Sequence, residues 1–298
     1  MISEKEIKNI IAQVLSELGG TEQKTEDVEK RVKEVVCQAG CEVADDDLFD
    51  ITSTIMQNEF DVPNPVNKDE YMKLKQPTPA RLGISRTGTR YLTKTALRFR
   101  ADHAVAMDAV FSDVSEEFLK EMGLFSVQTA VTDKDEYLTR PDLGRRFSPE
   151  AIQMIKDKCK VKPRVQVYVS DGLSSTSIEA NVRDTLPAII QGLKGEGIDV
   201  GTPFFVKYGR VGAMDAITEA LDAEVTVVLI GERPGLATGE SMSAYMTYKG
   251  FPGIAEAKRT VVSNIHRNGT PAAEAGAHIA GIIKKILDNK ASGLDLKL

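Results

Sequence analysis

The 298-residue chain has no tryptophan and only three histidines and three cysteines. So sparse and odd a cysteine set (Cys37, Cys41, Cys159) gives no disulfide framework and fits a reducing compartment. Cys37 and Cys41 stand four apart, but the nearest histidine is His103, too few ligands for a zinc site. His103 lies in a helical pattern and His278 inside the last predicted helix, so both read as packing or surface residues. No acid–base pair can be picked out. No apolar run approaches the ~20 residues that cross a bilayer. The amino terminus has no basic segment followed by an apolar one, so no secretory signal is expected. No Gly-x-Gly-x-x-Gly follows a strand, and no Gly-x-x-x-x-Gly-Lys-Ser/Thr occurs, which disfavours an ordinary NAD or ATP enzyme.

At 42% hydrophobic and 28% charged, the composition is that of a soluble globular protein. The net charge of −6 is unevenly placed: residues 21–62 carry −8 and residues 1–20 carry −1, leaving +3 over the rest. The acidity belongs to the leader, and nothing suggests a nucleic-acid or anionic-membrane surface.

Residues 1–77 read as a leader of short helices. Ser3 and Glu6 have capping-box spacing, Ile7, Ile11, Val14 and Leu18 form one apolar stripe, and Gly19-Gly20 ends this amphipathic helix. An acidic linker follows, punctuated by Pro63, Pro65, Pro77 and Pro79. Residues 78–150 read as a helical domain. Arg86, Arg90, Lys94 and Arg98 recur every four residues, flanked by Arg81 and Arg100. They would form a basic stripe on a helix: a solvated face or inter-subunit ion pairs in preference to a polyanion site. Gly83 and Gly88 weaken the helical reading of its first part.

From residue 151 the pattern alternates. Apolar runs at Val165–Val169, Pro203–Val206 and Val225–Ile230 are linked by predicted helices over 175–194 and 212–222. This is the signature of a parallel α/β sheet, and the fold class expected is a Rossmann-like sheet with flanking helices. Ser241–Tyr248 and Arg259–Ile265 are further candidate strands, and Ala272–Asn289 is a final helix behind Pro271. Each of the first three strands ends in a polar turn bearing glycine: Ser170-Asp171-Gly172, Tyr208-Gly209-Arg210 and Gly231-Glu232-Arg233-Pro234-Gly235. Open parallel sheets bind ligands beyond the carboxyl ends of their strands, so these turns form one candidate ligand face. A carboxylate at such a strand end, Glu232, can accept hydrogen bonds from a ligand's amides or hydroxyls. Pairing with Arg233 or another arginine is the structural alternative.

Several ordered blocks carry a resemblance: Leu97-Arg98-Phe99-Arg100-Ala101-Asp102-His103, Tyr137-Leu138-Thr139-Arg140-Pro141-Asp142-Leu143-Gly144-Arg145-Arg146, Ser170-Asp171-Gly172-Leu173-Ser174, the stretch from Gly201 to Arg210, Gly231–Gly235 and Ser263-Asn264-Ile265-His266. Together they resemble the small subunit (light chain) of ethanolamine ammonia-lyase, from about Thr78 to the carboxyl terminus. The resemblance implies a large barrel subunit, absent from this chain, that binds ethanolamine and carries the catalytic side chains. It implies adenosylcobalamin held between the chains with its own dimethylbenzimidazole on cobalt, and no Asp-x-His-x-x-Gly occurs here to replace that base. The implied reaction is radical and yields acetaldehyde and ammonia, with the hard chemistry supplied by the cofactor. Val211, Glu232 and Val261 carry over as cobalamin contacts, with Arg210 as an adjacent candidate. Some relatives have cysteine where Val261 stands, so that position needs to offer only an apolar or backbone contact. The family also implies a hetero-oligomer with several copies of each chain, and an amino-terminal helix like those that direct enzymes to bacterial microcompartment shells. A docking role for one apolar stripe on a tethered helix is reasonable on physical grounds too. Two other classes fit the bare sequence: a stand-alone α/β enzyme using a nucleotide at the same face, and a non-catalytic protein bridging catalytic subunits.

Overall fold

The computed structural model describes residues 50–297, and the chain from Thr54 onward makes one compact unit. The expected amphipathic helix, Cys37 and Cys41 all lie outside the described residues. Eight helices are described: α1 (Lys68–Lys75), α2 (Thr93–Phe111), α3 (Glu116–Glu121), α4 (Lys134–Thr139), α5 (Pro149–Lys158), α6 (Ser175–Gly195), α7 (Ala213–Leu221) and α8 (Ala272–Asn289). The strands are a two-residue pair, β1 (Arg86–Thr87) and β2 (Arg90–Tyr91), and the six of the main sheet: β3 (Phe125–Gln128), β4 (Val165–Ser170), β5 (Phe204–Lys207), β6 (Val225–Gly231), β7 (Met242–Tyr248) and β8 (Thr260–Ile265).

The main sheet has the order β3-β5-β4-β6-β7-β8. The first four strands are parallel. The last two, whose direction the sequence left open, run antiparallel, so the sheet is mostly rather than wholly parallel. The reason is the link from β6 to β7. Residues 232–241 are too few for a crossover helix, so the chain can only turn back. β4 and β6 are buried along their whole length, as strands covered on both faces must be, and so read as predominantly apolar runs in which Gln166 and Thr226 are the buried polar exceptions before the strand ends. Alternate residues feed two cores. Val165, Val167 and Val169 pack with Ile178, Ile189 and Ile283 under α6 and α8. Tyr168, Phe204 and Val228 pack with Ile155, Met214 and Ile217 under α5 and α7.

Two local features depart from the sequence reading. The edge strand β3 lies in a stretch read as helical; it is four residues long and only Val127 is buried, too little pattern to announce a strand. The four-residue basic series is not one helical stripe. Arg86 and Arg90 sit in the β1–β2 pair, either side of a turn with Gly88 at φ +62°, and only Lys94 and Arg98 lie on α2. Lys94 pairs with Glu59 and Asp61, Arg98 with Asp102, so half of the series serves internal ion pairs. Residues 54–77 are held against α2 through the Lys94 pairs and through Arg98 Nη1 donating to the Thr54 carbonyl (2.8 Å), and the segment is tied internally by the buried Lys75 ammonium donating to the Glu59 carbonyl.

A buried ion pair fixes the entry to β8. Arg259, 2% exposed, is bidentate to Asp215 of α7 at 2.8 and 2.9 Å. The carboxylates of Asp215 and Glu256, against the cost of burial, hold its pKa above the ordinary arginine value. Cys159 is a buried free thiol whose pKa burial pushes up to about 11.

Candidate functional site

From β4 the chain passes through α6 to β5 on one side, then through α7 to β6 on the other side of β4. The strand order therefore reverses at β4, and a crevice must open beyond the carboxyl ends of β4 and β6. A cleft of about 380 Å³ lies there. Its lining includes Gly172 and Leu173 after β4, Arg210 and Val211 after β5, and Glu232 after β6, with Val261 of β8 on the opposite wall. The structure thus brings Val211, Glu232, Val261 and Arg210 into one cleft, although they come from three separate stretches of the chain.

The floor is bare backbone for a steric reason. Gly172 sits at φ +56°, and a Cβ there would collide with the Gly231 carbonyl. A Cβ on Gly231 would collide with the carbonyls of Asp171 and Ser174. The Leu173 amide donates to the Gly231 carbonyl at 3.0 Å, which locks the two turns together. Only glycine permits this approach.

Glu232 is half-buried, and its carboxylate accepts from the hydroxyls of Ser243 and Ser241 (2.7 Å for the latter) and from the Asn264 amide at 3.2 Å. It does not take up the alternative of pairing with Arg233; its partners are hydroxyls and an amide. Burial alone would raise its pKa, but these hydrogen bonds, with His266 nearby, outweigh burial and hold it below the ordinary glutamate value. The Asn264 amide can reach it because Asn264 adopts φ +57° as β8 ends, a conformation asparagine tolerates better than most residues.

Arg210 is clamped from several sides. Its amide donates to the Gly144 carbonyl (2.8 Å), its Nη2 donates to the Tyr137 carbonyl (2.7 Å), and its guanidinium lies 4.0 Å from the centre of the Tyr137 ring. Its Nε is buried and has no hydrogen-bond partner among the described residues. Val211 is half-buried and packs on the α5–α7 core, while Val261 is 43% exposed and presents an apolar surface.

Sequence reading did not single out the wall supplied by β7. Ser241, Ser243 and Tyr245 alternate along one face, two hydroxyls for Glu232 and a ring that lines the cleft. That period of two was visible in the sequence. Burial, with Glu232 close by, raises the Tyr245 pKa. The cleft thus offers a fixed acceptor at Glu232, the Arg210 side chain and apolar walls, a set suited to binding. Among the described residues no group of histidine, cysteine, aspartate and glutamate could hold a metal ion, and no helix is long and apolar enough to cross a membrane.

Comparison with known proteins agrees across the whole chain. Residues 68–297 match the model of the family described as ethanolamine ammonia-lyase light chain, starting about ten residues before Thr78, where the resemblance is expected to begin. The chain is 59% identical to the ethanolamine ammonia-lyase small subunit of Fusobacterium nucleatum, covering all of both proteins. It is 56% identical to that of Clostridium perfringens over 99% of this chain and all of the relative, and 50% identical to that of Listeria monocytogenes with the same coverage. The chain belongs to the ethanolamine ammonia-lyase light-chain family.

Proposed function

We propose that this chain is the cofactor-holding small subunit of an adenosylcobalamin-dependent ethanolamine ammonia-lyase, which converts ethanolamine to acetaldehyde and ammonia only when joined to a large subunit. The observation that carries the reading is the convergence of Val211, Glu232, Val261 and Arg210 on one cleft at the reversal point of the sheet. The residues present suit the group. The corrin ring carries amide side chains, whose N–H groups suit an ionised, fixed carboxylate at Glu232. Their carbonyls suit the guanidinium of Arg210, which lines the cleft. Val211 and Val261 supply apolar contact, and the glycine floor lets the ligand approach the backbone. Adenosylcobalamin is far larger than the cleft, so this chain holds one part of it and the large subunit encloses the rest.

When bound, the cofactor supplies a cobalt–carbon bond that breaks homolytically and so opens radical chemistry. The residues of this chain bind and orient; none is assigned a proton-transfer or nucleophilic role. In this reading the sheet is Rossmann-like in the sense that matters for function, with a cofactor at its switch point. The same reading includes an assembly with several copies of each chain, cytoplasmic and housed in a bacterial microcompartment through an amino-terminal helix that lies outside the described residues.

The decisive experiment follows ammonia and acetaldehyde release from ethanolamine by this chain, alone and with a cognate large subunit, with and without adenosylcobalamin. Activity should need all three components. Activity of this chain alone would overturn the assignment of the catalytic groups to the large subunit.

A further inference from the structure

Beside the cleft, and touching none of its open space, lies a fully buried carboxylate. Asp171 is 1% exposed and has no ion-pair partner within 4 Å among the described residues. Its oxygens accept from three backbone amides on two different turns: Gly172 after β4 (2.9 Å), and Tyr208 (2.9 Å) and Gly209 (3.3 Å) after β5. Those turns continue directly into the cleft lining, Gly172 into Leu173 on one side and Gly209 into Arg210 and Val211 on the other. Tyr208 is held at φ +58°, a conformation costly for an aromatic residue that persists only where its surroundings enforce it. The enforcing contacts are Asp171 Oδ2 on its amide and Thr129 Oγ1 donating to its carbonyl at 3.0 Å, with the Tyr137 hydroxyl donating to the next carbonyl, that of Gly209, at 3.0 Å.

We propose that Asp171 is a positioning residue for the cleft: its carboxylate clamps the β4 and β5 turns to one another and so sets the backbone that carries Arg210 and Val211. The inference rests on the reading of the cleft as the cobalamin site. An ionised carboxylate can accept all three amides, whereas a protonated one gives up acceptor capacity to its own proton. Burial pushes the Asp171 pKa up to about 6, opposed by the three amides and by the Lys134 ammonium. Around it, α4 contributes Lys134 and Tyr137, the Ser170 hydroxyl donates to Oδ1, and Lys207, Arg210 and Asp113 act through Lys134. The clamp thus weakens as pH falls through about 6.

The test measures adenosylcobalamin affinity of the assembled complex with the cognate large subunit between pH 5 and 8, for wild type, Asp171→Asn and Glu232→Ala. Wild type should lose affinity as pH falls through about 6. Asp171→Asn should bind roughly tenfold more weakly at pH 7.5, keep its kcat at saturating cofactor, and lose the pH-dependent limb, since an amide cannot accept all three N–H groups and does not titrate. Glu232→Ala should also bind weakly but keep the limb. A flat wild-type profile overturns the proposal whether or not Asp171→Asn assembles, and so does wild-type affinity in Asp171→Asn when Glu232→Ala is weakened. If neither variant loses affinity, the cobalamin reading of the cleft falls together with the clamp.

Discussion

Single side chains in the cleft wall have separable jobs. Glu232 is held by two serines and an amide, so its removal leaves those donors free to meet water in an open cleft. Glu232→Ala should therefore fold with a near-wild-type melting temperature and retain cobalamin at least about tenfold less tightly in the complex, as read by absorbance of the bound cofactor after gel filtration. Unchanged retention would remove Glu232 from the site. Gly231→Ala is expected to behave in the opposite way. Its methyl group would meet two backbone carbonyls that belong to the β4 turn, which have nowhere to go. A loss of roughly 1–3 kcal/mol in urea unfolding is expected, and a variant as stable as wild type would show that the turns can separate. Sequence reading reached Glu232 because a carboxylate after a wholly apolar strand is conspicuous. It did not assign Asp171 a role, because a buried acid in a Ser-Asp-Gly turn looks like ordinary turn chemistry until its acceptors are traced in space.

At the level of elements, legibility followed pattern length. The long helices α6 and α8 and the buried strands β4 and β6 announce themselves by periodicity or by predominantly apolar runs, and they lie within a few residues of expectation. The four-residue β3 gives no such signal, and the antiparallel direction of β7 and β8 is set by loop length rather than by strand composition. Spacing by four makes a stripe only where the chain is helical, and Gly83 and Gly88 mark the part of the basic series that is not: Gly88 turns the chain between Arg86 and Arg90. The tie between α7 and β8 is a testable element-level device. Removing Asp215 leaves the almost fully buried Arg259 guanidinium with the exposed Glu256 as its one remaining carboxylate among the described residues. Asp215→Ala should cost roughly 3–5 kcal/mol in chemical denaturation, whereas replacing both residues by apolar ones of similar volume should cost far less. Equal losses in the two variants would mean that the pair adds packing rather than charge compensation.

Across the whole molecule, the cleft imposes a cost on the fold. A group whose folded pKa lies above its unfolded value binds its proton more tightly in the folded state, so stability falls as pH rises between the two values. For Asp171 that window runs from 3.8 to about 6, and keeping it ionised at neutral pH costs about 3 kcal/mol. Urea unfolding of wild type and Asp171→Asn should show their stability difference moving in favour of the variant by about 1 kcal/mol between pH 5 and pH 7. A difference that stays constant would mean that the Asp171 pKa is not raised in the fold and that the carboxylate is already ionised at pH 5. The region before Asp50 is tested separately: deleting residues 1–20 should leave the fold and the cleft intact while abolishing co-localisation with shell proteins. Persistent co-localisation would place the address elsewhere in the chain.

The sheet order has one more consequence, for the time at which the protein becomes competent. The central strand β4 is made early, but the cleft above it needs Glu232 from β6, the hydroxyls of β7 and Val261 from β8, and that outer hairpin arrives after all the parallel strands. On a translating ribosome the parallel strands and their α5–α7 face can come together while the binding wall is still inside the exit tunnel, but the opposite face waits for α8, which is made last. A half-made chain therefore presents apolar strand edges but no cradle, and ligand capture is deferred until β8 has emerged and docked against β7.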